Sequence, residues 1–199
     1  MHITTQVTFL ILFALLVVTG KVQLWMGIFL VSVIISIFLG RFYCGWICPI
    51  NTIMKAVAKF KEKMRISSFT IPNFLKSNYS RYSFLAVFLA TFIFVMATGR
   101  KLPVLPSLLI LGAVISVLFT ENLWHKHLCP YGTILNLASL KAFHSLKVDP
   151  GLCISCGVCM KVCPGGAITR QQTYTIDKGL CLLCYECSYH CPKQAIKYQ

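Results

Sequence analysis

Hydrophobic positions in the first 120 residues do not alternate. They run on without a break in four stretches, Thr5–Gly20, Leu24–Gly40, Tyr82–Gly99 and Leu102–Thr120. Each stretch has about 16 to 19 residues, close to the lower limit for crossing a hydrocarbon core of roughly 30 Å. None has Asp, Glu, Lys or Arg in its interior. A water-soluble bundle needs a polar face on each helix, so the pattern predicts four transmembrane helices. Gly20-Lys21 separates the first two and Arg100-Lys101 the last two.

Between the second and third stretches the pattern changes. Ile50, Ile53, Met54, Val57, Phe60 and Met64 fall at helical spacing, and Lys55, Lys59, Lys61 and Lys63 mostly point elsewhere. This predicts an amphipathic helix lying on the membrane surface. Ile134–Leu146 has a similar pattern, and Pro72 and Ser77–Ser80 mark loop. Beyond Leu146 only short segments remain, with Ile168, Ile176 and Ile196 as their apolar centres. The expected fold is a membrane α-helical domain over residues 1–146 and a small α+β domain over 147–199.

Two internal repeats sharpen the picture. In the first half, Tyr43-Cys-Gly-Trp-Ile-Cys-Pro-Ile-Asn-Thr-Ile53 matches Trp124-His-Lys-His-Leu-Cys-Pro-Tyr-Gly-Thr-Ile134. Each unit is two spans followed by a Cys-Pro element, so a tandem two-helix repeat about an axis along the membrane normal is expected. In the second half, Asp149-Pro-Gly-Leu-Cys153 matches Asp177-Lys-Gly-Leu-Cys181, and Cys163-Pro-Gly-Gly-Ala-Ile168 matches Cys191-Pro-Lys-Gln-Ala-Ile196.

Charge adds an orientation. The formal net charge is +14, and 57% of residues are hydrophobic. Eight Lys or Arg lie in Leu39–Tyr82, against Lys21 alone in one of the other turns and Arg100-Lys101 in the other. The long basic loop should therefore face the cytoplasm, and with it both termini and the cysteine-rich end. The chain is expected in the cytoplasmic membrane, with its cations drawn to anionic lipid rather than to nucleic acid. Residues 1–6 carry no Lys or Arg and no small-residue cleavage pattern follows, so a cleaved signal peptide is not expected. The four stretches also lack histidine, which argues against a bis-His haem between them.

The candidate chemistry lies in the cysteines. Cys153-x2-Cys156-x2-Cys159-x3-Cys163-Pro and Cys181-x2-Cys184-x2-Cys187-x3-Cys191-Pro resemble the bacterial two-cluster ferredoxins. In that spacing three thiolates of one tight loop serve one [4Fe–4S] cube and the fourth crosses to the other. Cys153, Cys156, Cys159 and Cys191 are thus assigned to one cluster, and Cys181, Cys184, Cys187 and Cys163 to the second. Zinc, the other metal held by paired Cys-x2-Cys elements, gives no reason for the third step or the following x3-Cys-Pro.

The Cys44-Gly-Trp-Ile-Cys48-Pro and Cys129-Pro-Tyr-Gly elements are the second motif. Proline after cysteine suits the first helical position, which would set Cys48 and Cys129 at helix N-termini, where the dipole favours thiolate. His125 stands where the first unit has Cys44. Together Cys44, Cys48, Cys129 and His125 are candidates for an additional redox or metal centre.

The Gly40-Arg-x-x-Cys44-Gly-Trp-x-Cys48-Pro49 element, the second Cys129-Pro-x-Gly132 element and the duplicated cysteine run together resemble the NapH family of membrane ferredoxins. The C-terminal half of the nitrous oxide reductase regulator NosR is similar, as are polyferredoxin-like proteins that handle copper. The family usually has Cys-x3-Cys-Pro twice, whereas here the second reads His125-x3-Cys129-Pro. The resemblance implies a membrane-bound relay of electrons between a quinone pool or membrane redox complex and a partner oxidoreductase. Metal handling, assembly or redox sensing at the Cys/His site is the alternative. No nucleophile–base set or phosphate loop is evident, so the expected role is an electron-transfer subunit rather than a complete enzyme.

Overall fold

A computed structural model describes residues 2–69, 71–98 and 104–199. The turn holding Arg100 and Lys101 lies outside the described residues. Helices α1 (His2–Val18) and α2 (Gln23–Leu39) form a hairpin. Gly20 closes it in the left-handed region (φ +71°), a conformation that costs glycine little. A short helix α3 (Phe42–Trp46) carries Cys44, and α4 (Pro49–Lys63) follows Cys48. A 3-10 turn at Asn73–Lys76 leads into α5 (Asn78–Thr98) and α6 (Val104–Leu118). Then come a single turn α7 (Glu121–Leu123), a π-helical turn at Trp124–Leu128 and α8 (Pro130–Ser139).

The repeat seen in the sequence is a repeat of packing. Helix α2 packs on α8, as α6 packs on α4, and α1 packs on α4 as α5 packs on α8. Each unit therefore lays the helix after its Cys-Pro element against both long helices: those of its own first span and of the other unit's second. Gly112 allows the close approach of α6, since a Cβ there would stand 2.9 Å from Ile50 and 3.2 Å from Trp124.

The helix following Cys48 differs from the expected surface helix. Asn51 and Met54 are fully buried, and Lys61 reaches across to α6. Its Nζ donates to the carbonyls of Ser116 (3.2 Å) and Phe119 (3.3 Å) and to Ser68 Oγ (2.8 Å). Those carbonyls end a helix and lack intrahelical partners, so a cation there is favourable twice over. Similarly, α8 stops at Ser139, and Phe143 is exposed beyond it.

Among the described residues no helix is long and apolar enough to cross a membrane. Helices α1 and α2 have 17 residues and α6 has 15. At 1.5 Å per residue, 17 residues reach about 25 Å. The outward faces of α1, α2, α5 and α6 are nonetheless apolar, with Ile11, Leu30, Ile34, Ile93 and Ile110 all more than half exposed.

The second half is built from two antiparallel pairs. Strand β1 (Leu146–Val148) pairs with β4 (Ile196–Tyr198), and β2 (Ile168–Arg170) with β3 (Tyr174–Ile176). The short helices α9 (Val158–Lys161) and α10 (Glu186–Tyr189) follow the two cysteine loops. Leu146, Ala167, Ile168, Tyr174 and Ile196 are buried between them. Ile168, Ile176 and Ile196 lie on these short strands, as expected, and Ile168 faces Ile176 in register.

Candidate iron–sulfur and thiol sites

The duplicated cysteine run folds into two quasi-identical loops whose backbone is set by paired left-handed residues. Ser155 and Leu183, Gly157 and Tyr185, and Gly166 and Gln194 all have positive φ, and each pair is separated by 28 positions. Non-glycine residues in this region cost on the order of 1 kcal/mol or more, so Ser155, Leu183, Tyr185 and Gln194 are held there by the packing of the loops. In each half a buried alanine amide points at the sulfur four residues before it. Ala167 N donates to Cys163 Sγ and Ala195 N to Cys191 Sγ, both at 3.4 Å.

Two cavities result. One is lined by Cys153, Cys156, Cys159 and Cys191, the other by Cys163, Cys181, Cys184 and Cys187. The fourth cysteine of each run thus crosses to the other loop. Among the described residues no three His, Cys, Asp or Glu side chains converge closely enough for a single metal ion. Thiols spread round a cavity suit a multi-iron cube, whose corners stand apart, better than one ion. Burial pushes the Cys181 thiol up to about 12 and Cys184 to about 11, and it raises Cys187 as well. Thiols so dry give up their protons to a bound metal rather than to water.

The other three cysteines gather where the two units of the helical half meet. Cys48 and Cys129 each stand at the N-cap of a helix, with Pro49 and Pro130 at its first turn. Gly132 N donates to Cys129 Sγ at 3.3 Å. The expected preference for thiolate is nonetheless reversed. Burial pushes Cys129 up to about 12 and raises Cys48 strongly, and Cys44 raises both further. Desolvation outweighs the helix terminus because a dipole end supplies only a partial charge.

Arg41 lies beside these thiols and is 1% exposed. Its Nη2 donates to Cys44 Sγ (3.7 Å), and its Nη1 to the carbonyl of Gly179 (3.1 Å) in the second half. Among the described residues no carboxylate pairs with it, and its Nε has no partner. The buried hydroxyl of Tyr131 is also unpartnered. Phe29 and Phe88 pack edge-on to Tyr131, closing the thiols off from outside.

His125 is buried too, and the charged groups acting on it are Arg41 and Lys55. Burial first, then those cations, drive it down to about 3, so it is a neutral imidazole. The structure thus brings Cys44, Cys48 and Cys129 near one another, and it buries His125, whose Nε2 has no partner, within reach of the same Arg41.

The loop holding Cys181 and Cys184 lies directly on the Cys44 turn. Trp46 Nε1 donates to the carbonyl of Leu183 (3.0 Å), and Asn136 Nδ2 donates to the carbonyl of Gly179. A Cβ on Gly45 would collide with the carbonyl of Leu182 and stand 3.3 Å from Cys184 N. Lys55 pairs with Glu186 at 3.1 Å.

Comparison with known proteins follows the same division. Residues 22–67 and 102–147 each match the profile of one 4Fe-4S binding domain family, and 146–169 and 174–197 each match a second. The ferredoxin-type protein NapH of Haemophilus influenzae is 27% identical over 146 residues, covering 65% of this chain and 50% of that protein. The methylamine utilization ferredoxin-type protein MauN of Methylobacillus flagellatus is 28% identical over 159 residues, 69% of this chain and 53% of its own. The chain belongs to the NapH-like family of 4Fe-4S ferredoxin-type proteins. A putative electron transport protein of Escherichia coli, YccM, is 23% identical over 155 residues, 66% of this chain and 43% of its own. The NapH-like chain spans about half the length of most of these curated relatives. No solved structure matches it.

Residue-by-residue reading undervalued Arg41 in this NapH-like chain, counting it only as a topological charge. A signal was present, since Arg41 is a lone cation wedged between an apolar run and Cys44.

Proposed function

We propose that this NapH-like chain is a membrane-embedded electron relay. In this reading Cys153, Cys156, Cys159 and Cys191 hold one [4Fe–4S] cluster, and Cys163, Cys181, Cys184 and Cys187 the other. The clusters, when bound, pass electrons one at a time, and the chemistry of any substrate belongs to a partner oxidoreductase. The carrying observation is the seating of the Cys181–Cys184 loop on Gly45 and Trp46. These contacts support a relay in which one cluster cavity sits beside the Cys44 turn of the helical half.

Membrane insertion is supported by the apolar outward faces of α1, α2, α5 and α6, which in water would be a costly surface. The short helices fit a locally thinned bilayer. The basic Leu39–Tyr82 segment supports a cytoplasmic position for both termini and the cluster domain. The relay then exchanges electrons with a quinol or a membrane redox complex on one side and a partner protein on the other.

The test is reconstitution in proteoliposomes with a quinol analogue as reductant. Iron analysis should give about eight Fe per chain. Both clusters should be reduced by the quinol, and a chain holding zinc, or clusters that stay oxidised, would overturn the reading.

A second reading has one observation in its favour. Arg41 Nε and the Tyr131 hydroxyl are buried beside three thiols without partners, as groups awaiting an anionic or metal-bound ligand would be. The three thiols stand too far apart for one ion as they are, so on that reading they draw together on copper or iron, and metal analysis of a variant lacking the eight cluster cysteines decides it.

A further inference from the structure

The two cysteine loops are copies of one another, yet only one has something packed on it. Positions 28 apart correspond, so Ile154 is the counterpart of Leu182 and Ser155 that of Leu183. Leu182 and Leu183 are 2% and 3% exposed, covered by the α3 turn and its surroundings. Ile154 is 56% exposed, and Leu152 and Met160, on the same loop, are each 44% exposed. Cys156 is exposed where its counterpart Cys184 is half-buried. The covered loop therefore shows how this surface is used when occupied: a second body lies on the two residues between the first and second cysteines.

The exposed loop also has a charge. Lys193 lines the same cavity, Lys161 ends the helix that follows the loop, and both are exposed. Lys147 and Lys197 sit opposite each other on the adjacent strand pair, and both are exposed. The carboxylates of this half are engaged. Asp149 caps Gly151 N at 2.9 Å, Asp177 accepts from Gly179 N at 2.8 Å, and Glu186 pairs with Lys55. An apolar centre ringed by cations is complementary to an apolar centre ringed by carboxylates.

We propose that the Leu152–Met160 loop, with Lys161 and Lys193, is the docking face for an acidic redox protein, which exchanges electrons with the cluster held by Cys153, Cys156, Cys159 and Cys191. This rests on the electron-relay reading and gives it a direction in space. The cavity seated on the Cys44 turn faces the helical half, and the other faces the partner. In each transfer the reduced cluster loses one electron and the partner's flavin or metal centre gains it. A flavin takes its accompanying proton from solvent.

The experiment uses the full cluster-loaded chain in phosphatidylcholine vesicles, with an acidic flavodoxin as probe and basic cytochrome c as its opposite. Binding is read by co-sedimentation with the vesicles, and electron transfer by stopped-flow absorbance. Flavodoxin should bind the wild type at low salt and progressively less as salt rises. Lys161→Glu/Lys193→Glu should weaken its binding about tenfold and favour cytochrome c instead. The milder pair Lys161→Gln/Lys193→Gln should weaken flavodoxin less, and Lys161→Gln alone, outside the cavity lining, should weaken it at unchanged iron content, which separates loss of docking from loss of fold. Arg170→Glu, an exposed reversal on β2, serves as the control. Equal binding by wild type and the lysine variants, an equal loss in Arg170→Glu, or tighter binding of cytochrome c by the wild type would each overturn the proposal. Reduction by quinol is measured on the same vesicles. If lysine-dependent binding persists while quinol fails to reduce the clusters, the relay reading falls and the docking face stands.

Discussion

The indole Nε1 of Trp46 donates a 3.0 Å hydrogen bond to the carbonyl of Leu183, joining residues 137 positions apart. Trp46 belongs to the Cys44 turn, and Leu183 lies between Cys181 and Cys184. One contact therefore ties the thiol group of the helical half to a cluster loop of the other. Around it, Tyr198 Oη donates to the carbonyl of Leu39 (3.2 Å) and Lys178 Nζ to that of Ala142 (3.2 Å). All three acceptors are backbone carbonyls, and that of Leu39 ends α2, where it has no intrahelical partner.

Gly45→Ala tests this seam. The added methyl meets the backbone of Leu182 and Cys184, which cannot rotate away as a side chain would. Overpacking of this kind costs about 1–3 kcal/mol. We expect iron content close to wild type, a lower thermal midpoint, and faster proteolytic cleavage in residues 140–146, where the halves join. Wild-type proteolysis would mean that the seam has slack.

The buried thiols make a prediction about pH. Cys129 is pushed by burial from an ordinary value of 9.0 to about 12, a difference of about 3. At pH 8 its thiolate is thus about a thousandfold scarcer than that of an exposed cysteine. In a variant lacking the eight cluster cysteines, Cys129 should resist iodoacetamide at pH 8 and react quickly once unfolded. The sign for stability follows. The folded thiol keeps its proton while the unfolded one loses it above 9, so this residue makes the fold less stable as pH rises from 9 towards 12. Rapid alkylation of folded protein at pH 8 would show that the three thiols hold a charge in the resting state.

Arg41 is the nearest fixed positive charge to both the thiols and the Gly179 carbonyl. Arg41→Gln removes that charge and shortens the reach to Gly179. A reduced cluster carries one more negative charge than an oxidised one, so loss of a buried cation nearby destabilises the reduced form. The potential of the cluster beside the Cys44 turn should fall by on the order of 60 mV, a tenfold change in a one-electron equilibrium. The other cluster should shift less. Redox titration followed by electron paramagnetic resonance reads both, and equal shifts would place Arg41 farther from the seam than its hydrogen bonds do.

How much of this was legible in the sequence varies with the range of the interaction. The cysteine runs were readable because a cube imposes its own spacing on a short loop, and the 28-residue offset recurs in the backbone at Ser155 and Leu183. The N-cap places of Cys48 and Cys129 were readable because proline fixes the first turn. The burial of α4 was not. Its lysines look like a solvated face until Lys61 is seen to reach the end of α6, a contact 55 positions away. The π turn that carries His125 was not legible either, because it adds one residue to a turn and leaves no mark in the apolar pattern.

The crossing of the fourth cysteines carries the last prediction. Cys163 follows Cys159 closely in sequence but lines the cavity of Cys181, Cys184 and Cys187. Cys191 lines the cavity of Cys153, Cys156 and Cys159. These two cavities differ in surroundings. Leu182 and Leu183 beside the first are buried under the helical half, whereas Ile154 and Cys156 beside the second are exposed. Cys163→Ala should therefore alter the cluster that is shielded, and Cys191→Ala the one that solvent reaches. Removing one of four thiolates leaves an open iron corner, so each variant should retain the untouched cluster and lose or convert the other. A water-soluble paramagnetic relaxing agent distinguishes them by its effect on the remaining resonance. In Cys163→Ala the surviving cluster should relax strongly with the agent, and in Cys191→Ala weakly. The reverse pattern would mean that each run of four cysteines keeps its own cluster and that the loops do not cross.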